Sequence, residues 1–198
     1  NLLIDEKALL KKINKKTKFV IPVHVSGRGN NIQNIIKICR KKSIKVIEDA
    51  AEAFGSKYKK KNLGTFGISG CFSFAPNKII TTGQGGAVIT DNKKIYLKLL
   101  RLKDQGRLRI GGKKKENFKS KGYNFKFTDL QSSLGISQLN NIKWRIKKLK
   151  KMHQYYMRNI NQNSNFRIIN FDFNKGELPL WTDVYCEKRE KLFNFLKL

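Results

Sequence analysis

Two short apolar runs flank an amphipathic segment near the start of this chain, and that arrangement constrains the fold more than any other feature. Residues 19–25 read as a buried strand, and residues 45–48 read as a second one. Between them, residues 31–42 place Ile32, Ile35, Ile36 and Cys39 on one face at helical spacing. Strand, helix and strand in that order form a β-α-β unit, whose strands run parallel through a right-handed crossover. Further strands are expected at residues 70–74 and 87–90. Asp91 is placed to cap a helix running towards Lys103, with Ile95, Leu99 and Leu102 at helical spacing. Thr128-Asp129-Leu130-Gln131 has the form of a capping box and opens a long helix to about residue 160. Leu130, Leu134, Leu139, Ile142, Ile146 and Leu149 form its apolar stripe, read as core or dimer packing.

From Phe166 the pattern changes to short strand-like pieces at residues 166–170 and 180–185, then a helical end from Glu187. Gly176 and Pro179 punctuate the link between them. The expected fold class is α/β, a mostly parallel sheet flanked by helices. Residues 1–150 would form part of a large domain, and residues 161–198 the beginning of a small α+β domain.

Chemistry is suggested at two places. The strand at residues 45–48 runs into Glu48 and Asp49, and ligands of open α/β sheets lie outside the carboxyl ends of the strands. Either these acids belong to a site or they cap the turn that follows. The second place is the apolar Cys71-Phe72-Ser73-Phe74 run, followed by Ala75-Pro76-Asn77-Lys78 and the small residues Thr81-Thr82-Gly83-Gln84-Gly85-Gly86. A lysine presented just past a strand, beside tightly turning backbone, suits an amine offered to an aldehyde. Solvated charge is the ordinary alternative for a lysine.

Several of these segments, taken in order, resemble the DegT family of sugar-nucleotide aminotransferases. They are residues 46–56 (Val-Ile-Glu-Asp-Ala-Ala-Glu-Ala-Phe-Gly-Ser), Gly64-Thr65-Phe66-Gly67, the run from Phe72 to Lys78, and Gly83-Gln84-Gly85-Gly86. Lys103-Asp104-Gln105-Gly106-Arg107, Gly122-Tyr123-Asn124-Phe125 and Asp129-Leu130-Gln131, with Gly135 and Gln138-Leu139, continue the likeness. The resemblance implies a pyridoxal 5'-phosphate enzyme with the large-domain fold of such transferases. Lys78 matches the lysine that holds the cofactor through its amine and then moves protons. Asp49 matches the partner of the pyridine nitrogen, and Ser73 a hydroxyl that binds the phosphate. Asn124 matches an asparagine lent to the phosphate of a neighbouring subunit, which implies a homodimer with shared active sites. Glu52 stands where many members have glutamine, beside the cofactor ring, and resembles the perosamine-synthase-like branch. A related dehydratase branch has histidine in place of the lysine, and Lys78 argues against it. The implied substrates are an amino-acid donor, usually glutamate, and a nucleotide-linked keto-deoxysugar. Family members are longer on both sides, so the chain is expected to be an internal fragment; a non-catalytic truncated member is one alternative.

Composition raises the other alternative. The 198 residues include 43 Lys and Arg against 14 Asp and Glu, a formal net charge of +29, which attracts nucleic acid by long-range steering. The lysines are spread along the whole chain, and no groove-reading motif organises them, so a nucleic-acid partner is disfavoured. Cys39, Cys71 and Cys186 have no metal-ligand spacing and read as reduced, mostly buried thiols of a cytoplasmic protein. His24 reads as a satisfied structural histidine, and no metal site is expected. No run is long and apolar enough to span a bilayer. The glycine- and lysine-rich segment at residues 107–121 reads as a mobile loop that could close over the substrate.

Overall fold

The structure, a computed structural model, describes residues 2–107 and 120–197. Helix α1 (Glu6–Lys12) comes first, capped by Asp5, whose side chain accepts from Ala8 N–H. No element is expected over these residues from the sequence. Strand β1 (Phe19–Val20) leads into α2 (Ile32–Arg40), which buries Ile32, Ile35 and Cys39, and then into β2 (Lys45–Asp49). β1 and β2 are parallel, as the β-α-β reading requires.

The expected strand over residues 19–25 is shorter as observed. Regular pairing is interrupted at Ile21 and Pro22, then resumes at Val23 opposite Asp49 in the same register. Proline offers no N–H to a ladder. Its carbonyl still accepts from Asp49 N–H at 3.0 Å, and His24 N–H donates to Asp49 O at 3.0 Å. Beyond His24 the chain leaves the sheet in a short turn at Val25–Gly27.

A small antiparallel hairpin, β3 (Lys57–Tyr58) and β4 (Lys61–Asn62), precedes β5 (Ser69–Ser73) and β6 (Gly86–Ile89). The main sheet runs in the order β1-β2-β5-β6; β2 and β5 are parallel, and β6 closes the edge antiparallel. Leu9, Val20, Ile35, Val46, Ala53 and Leu63 are among the residues of one buried cluster where α1 and α2 cover the sheet. The remaining helices are α3 (Lys93–Lys103), α4 (Asp129–Asn140) and α5 (Ile142–Asn159), followed by strands β7 (Phe166–Ile168) and β8 (Val184–Cys186) and helix α6 (Arg189–Leu196).

Three boundaries differ from expectation. The cap of α3 is Asn92 and not Asp91: its side chain accepts from both Lys94 and Ile95 N–H. The long helix from Thr128 is two helices. The Asn141 N–H turns back to Gln138 and Leu139 carbonyls, and its side-chain amide takes the Ser137 carbonyl, so the regular ladder is broken there. The second strand of the terminal pair begins at Val184 and not Leu180, because residues 176–183 are used elsewhere. Of the two readings of the stripe, core or dimer packing, the core reading does not hold on α4: Leu130, Leu134 and Leu139 are 82%, 40% and 44% exposed. The segment expected to form a mobile loop lies mostly outside the described residues.

Candidate active site

The neighbouring acids at the end of β2 point to opposite faces, as successive strand residues do. Glu48 is fully buried. Its Oε1 accepts from Phe66 and Gly67 N–H, and its Oε2 from Gly64 N–H. The same Oε2 lies 3.0 Å from His24 Nε2, whose ring accepts at Nδ1 from Asn30 N–H. Burial works against the Glu48 charge, but the His24 ring and the three amides outweigh it and hold the carboxyl below its ordinary range. Glu48 is therefore an anchor for the Gly64–Gly67 segment, and His24 is the satisfied structural histidine expected. Neither reading offered for the acid pair describes Glu48.

Asp49, half-buried, faces the open end of the sheet. Its Oδ1 accepts from Ala51 N–H at 3.1 Å, so part of its capacity does serve the turn. Among the described residues its Oδ2 has no hydrogen-bond partner. Cys71 is its register partner on β5, and the thiol is pushed up by burial and then by the Asp49 charge.

Ser73 ends β5 on the adjacent parallel strand, and its Oγ accepts from Ala75 N–H at 3.3 Å. Pro76 then takes the second position of a tight turn in which Lys78 N–H donates to Ala75 O at 3.1 Å. The loop is pinned to its own base by Phe74 N–H to Gly85 O and Thr82 N–H to Phe74 O, 2.9 and 3.0 Å. Sequence thus places Lys78 on a short, doubly anchored loop just past the strand.

Lys78 lies half-buried in a cleft with Ala51, Glu52, Phe54, Ile79, Leu178 and Leu180. Its Nζ is 3.6 Å from Oε1 of Glu52, one turn past Asp49. Glu52 is held in turn by Ser26 N–H on Oε2 at 2.7 Å and by the indole N–H of Trp181 on Oε1 at 3.2 Å. Ser26 adopts φ +57 to present that N–H, a left-handed conformation that costs an ordinary residue about 1–2 kcal/mol.

Four of the five sequence-predicted residues, Asp49, Glu52, Ser73 and Lys78, therefore gather at or beside the carboxyl ends of β2 and β5. Asn124 does not join them. It is exposed and paired by a backbone bridge with Asp104. Beside it Tyr123 and Phe125 stack at 5.0 Å with their rings 11° apart, both exposed. Sequence reading missed Ser26, Phe54, Leu178, Leu180 and Trp181. Phe54 lies in the segment 46–56 that carries the family likeness and Trp181 in the piece read as a strand over 180–185, and neither is marked there as a site residue.

The chemistry of this group fits pyridoxal 5'-phosphate. It has an amine in a half-closed cleft for the aldehyde, a strand-end carboxylate with an uncommitted oxygen for the ring nitrogen, and a hydroxyl at the next strand end for the phosphate. Among the described residues no cluster of three or more His, Cys, Asp or Glu could hold a metal ion, and no helix is long and apolar enough to cross a membrane.

Comparison with known proteins gives a consistent picture. The profile of the DegT/DnrJ/EryC1/StrS aminotransferase family matches residues 1–197. A GDP-perosamine synthase of Escherichia coli O157:H7 is 39% identical over 150 residues, covering 76% of this chain and 40% of that protein. Helicobacter pylori PseC, an aminotransferase involved in the biosynthesis of pseudaminic acid, superposes with a TM-score of 0.85 at 30% identity, over 99% of this chain and 52% of that one. An E. coli GDP-4-keto-6-deoxy-D-mannose-3-dehydratase solved with bound hydrated pyridoxal phosphate gives 0.85 at 26%, over 99% and 55%. The chain spans about half the length, or less, of the proteins it matches.

Proposed function

The chain belongs to the DegT/DnrJ/EryC1/StrS aminotransferase family, and from that premise we propose that it serves a pyridoxal 5'-phosphate-dependent transamination. An amino group, taken from glutamate, would pass to a nucleotide-linked keto-deoxysugar in amino-sugar or cell-surface polysaccharide biosynthesis. The observation that carries this reading is Lys78 beside Glu52 in the cleft at the strand ends, with Asp49 and Ser73 on the two adjacent strands.

When bound, the cofactor supplies an aldehyde for the amine and a ring that accepts the electron pair of the reacting carbon. The protein's own groups do the rest. Lys78 Nζ would hold the cofactor at its aldehyde carbon and, as a free amine, would carry the proton to and from the substrate carbon. Asp49 would hold the proton at the ring nitrogen, and Ser73 Oγ would bind the phosphate. Glu52 and the apolar walls of Phe54, Leu178 and Leu180 keep the amine oriented and limit water around it. A dehydratase of this fold is among the matches, but Lys78 supports amino transfer, as does the similarity to a perosamine synthase.

The proposal includes a homodimer in the cytoplasm. Exposed Asn124 beside the stacked Tyr123 and Phe125, and the uncovered leucines of α4, support a face that meets a second copy and lends Asn124 to its cofactor phosphate. Three free cysteines agree with a reducing compartment. It also includes the division into a large-domain part over residues 1–150 and a small-domain part from 161.

The test is to incubate the chain with pyridoxal phosphate, reduce with borohydride and map the modified peptides. Stoichiometric labelling of Lys78 is expected, with Lys78→Ala abolishing both the label and turnover. Labelling scattered over the other lysines, or transamination surviving in Lys78→Ala, would overturn the assignment.

A further inference from the structure

Residues 176–183 leave the terminal strand pair and run back across the parallel sheet end. Each step is fastened to the first part of the chain. Lys57 N–H donates to Gly176 O at 2.8 Å, Gly29 N–H to Glu177 Oε1 at 3.1 Å, and Leu178 N–H to Ser56 Oγ at 3.2 Å. Leu180 N–H donates to Ser26 O at 3.0 Å, and Asp183 Oδ2 receives the buried Arg28 guanidinium at 2.5 Å. The approach is close enough that a methyl group on Gly27, at φ +93, would collide with the Leu178 carbonyl. Leu178 and Leu180 from this strap form one wall of the Lys78 cleft.

Between those fastenings stands Trp181. Its indole N–H meets Oε1 of Glu52 across 129 residues of chain, and the same oxygen faces Lys78 Nζ. The Lys78 nitrogen also lies 5.9 Å from the indole ring centre, at the limit of a cation–ring contact. A glutamate with one donor would be free to swing. With Ser26 N–H on one oxygen and the indole on the other, its plane is fixed, and so is the direction in which it draws the amine.

We infer that Trp181 is a positioning residue for the Lys78 amine, acting through the Glu52 carboxylate, and that the strap carrying it sets the geometry of the site. The inference rests on Lys78 being the attachment lysine.

The experiment follows the rate and pH profile of pyridoxal phosphate attachment to Lys78, by borohydride trapping on the full chain. Trp181→Phe keeps the ring and removes the N–H; it should slow attachment about five-fold, the worth of one hydrogen bond, and displace the pH profile. If Trp181 acts through Glu52, the same change made in Glu52→Ala should alter the rate less than about two-fold, the signature of coupled residues. Equal effects in both backgrounds would overturn the inference while leaving Lys78 assigned. Failure of the unmodified chain to label Lys78 would overturn both readings. A second measurement covers poor folding of the variant. The chain has two tryptophans, and in Trp144→Phe, whose replaced ring is exposed on α5, all indole emission comes from Trp181. Attachment at Lys78 should quench that emission strongly, and unquenched emission with Lys78 labelled would sink the proposal.

Discussion

Two adjacent acids carry different duties because a strand alternates its faces. Glu48 accepts three backbone amides and the His24 ring without contact with water, so its loss should be felt as stability. Glu48→Gln replaces an acceptor oxygen by a donor facing N–H groups. It should lower unfolding free energy by about 1–3 kcal/mol, read as a reduced urea midpoint with unchanged slope. The folded Glu48 carboxyl is held below its ordinary range, so the sign follows. Its stabilisation is complete above the unfolded value of about 4.3 and is lost as pH falls through the lower folded one. Asp49→Asn should instead be felt in the chemistry. Cofactor attachment at Lys78 should survive, whereas proton abstraction in the half-reaction with glutamate should slow; unaffected half-reaction rates would remove Asp49 from its role. Adjacent in sequence and alike in charge, the two acids are separated only by which face of β2 each occupies.

At the scale of elements, local chemistry decides where helices start and tertiary demands decide where they stop. The Thr128 side chain accepts from Gln131 N–H, and Gln131 answers by accepting from Thr128 N–H, so the box read in the sequence is present. Thr128→Ala should cost about 1 kcal/mol, seen as faster amide exchange in the first turn of α4. The Gln131 amide also donates to Gln84 O in the loop that carries Lys78. The box therefore does two things, fixing α4 and fastening a helix to the Lys78 loop. The break at Asn141 had no comparable signal. Its apolar stripe continues unbroken through both helices, and only the backbone bonds at Ser137, Gln138 and Leu139 reveal the interruption. The apolar residues of α4 stay exposed because nothing in the described chain covers them.

Across the whole molecule, the terminal segment is fastened by polar contacts to the loops that follow β1 and β2, and one group packed beside it is sensitive to acid. His153 of α5 is buried edge-on to Phe171 and Phe173, 5.1 and 5.8 Å between ring centres, with Asn170 Oδ1 3.5 Å from its Nε2. Burial pushes its ionisation down, Asn170 opposes this, and the Arg28 charge adds to it. A depressed histidine is neutral when folded and gains a proton more easily when unfolded. Stability should be full above about pH 6.5 and fall as pH drops below it towards the folded value. Thermal midpoints measured against pH should show this slope, and His153→Gln should flatten it. The charge of +29 acts at the same scale. An anionic sugar nucleotide should associate faster at low salt, by steering that screening removes. What the sequence determined by itself rests on near neighbours: the β-α-β unit from its apolar spacing, the Thr128 box, and the placement of Asp49, Ser73 and Lys78 just where strands give way to turns. Motifs read in order supplied the family and the expectation for Glu52 and Asn124. What only the tertiary structure decided was everything that brings distant segments together. Glu48 became an anchor because the Gly64–Gly67 amides fold onto it, and Trp181 reached Glu52 because residues 176–183 return across the sheet. Spacing encodes which face a side chain takes on its own element, but hydrogen bonds between segments more than a hundred residues apart leave no periodic trace in the chain.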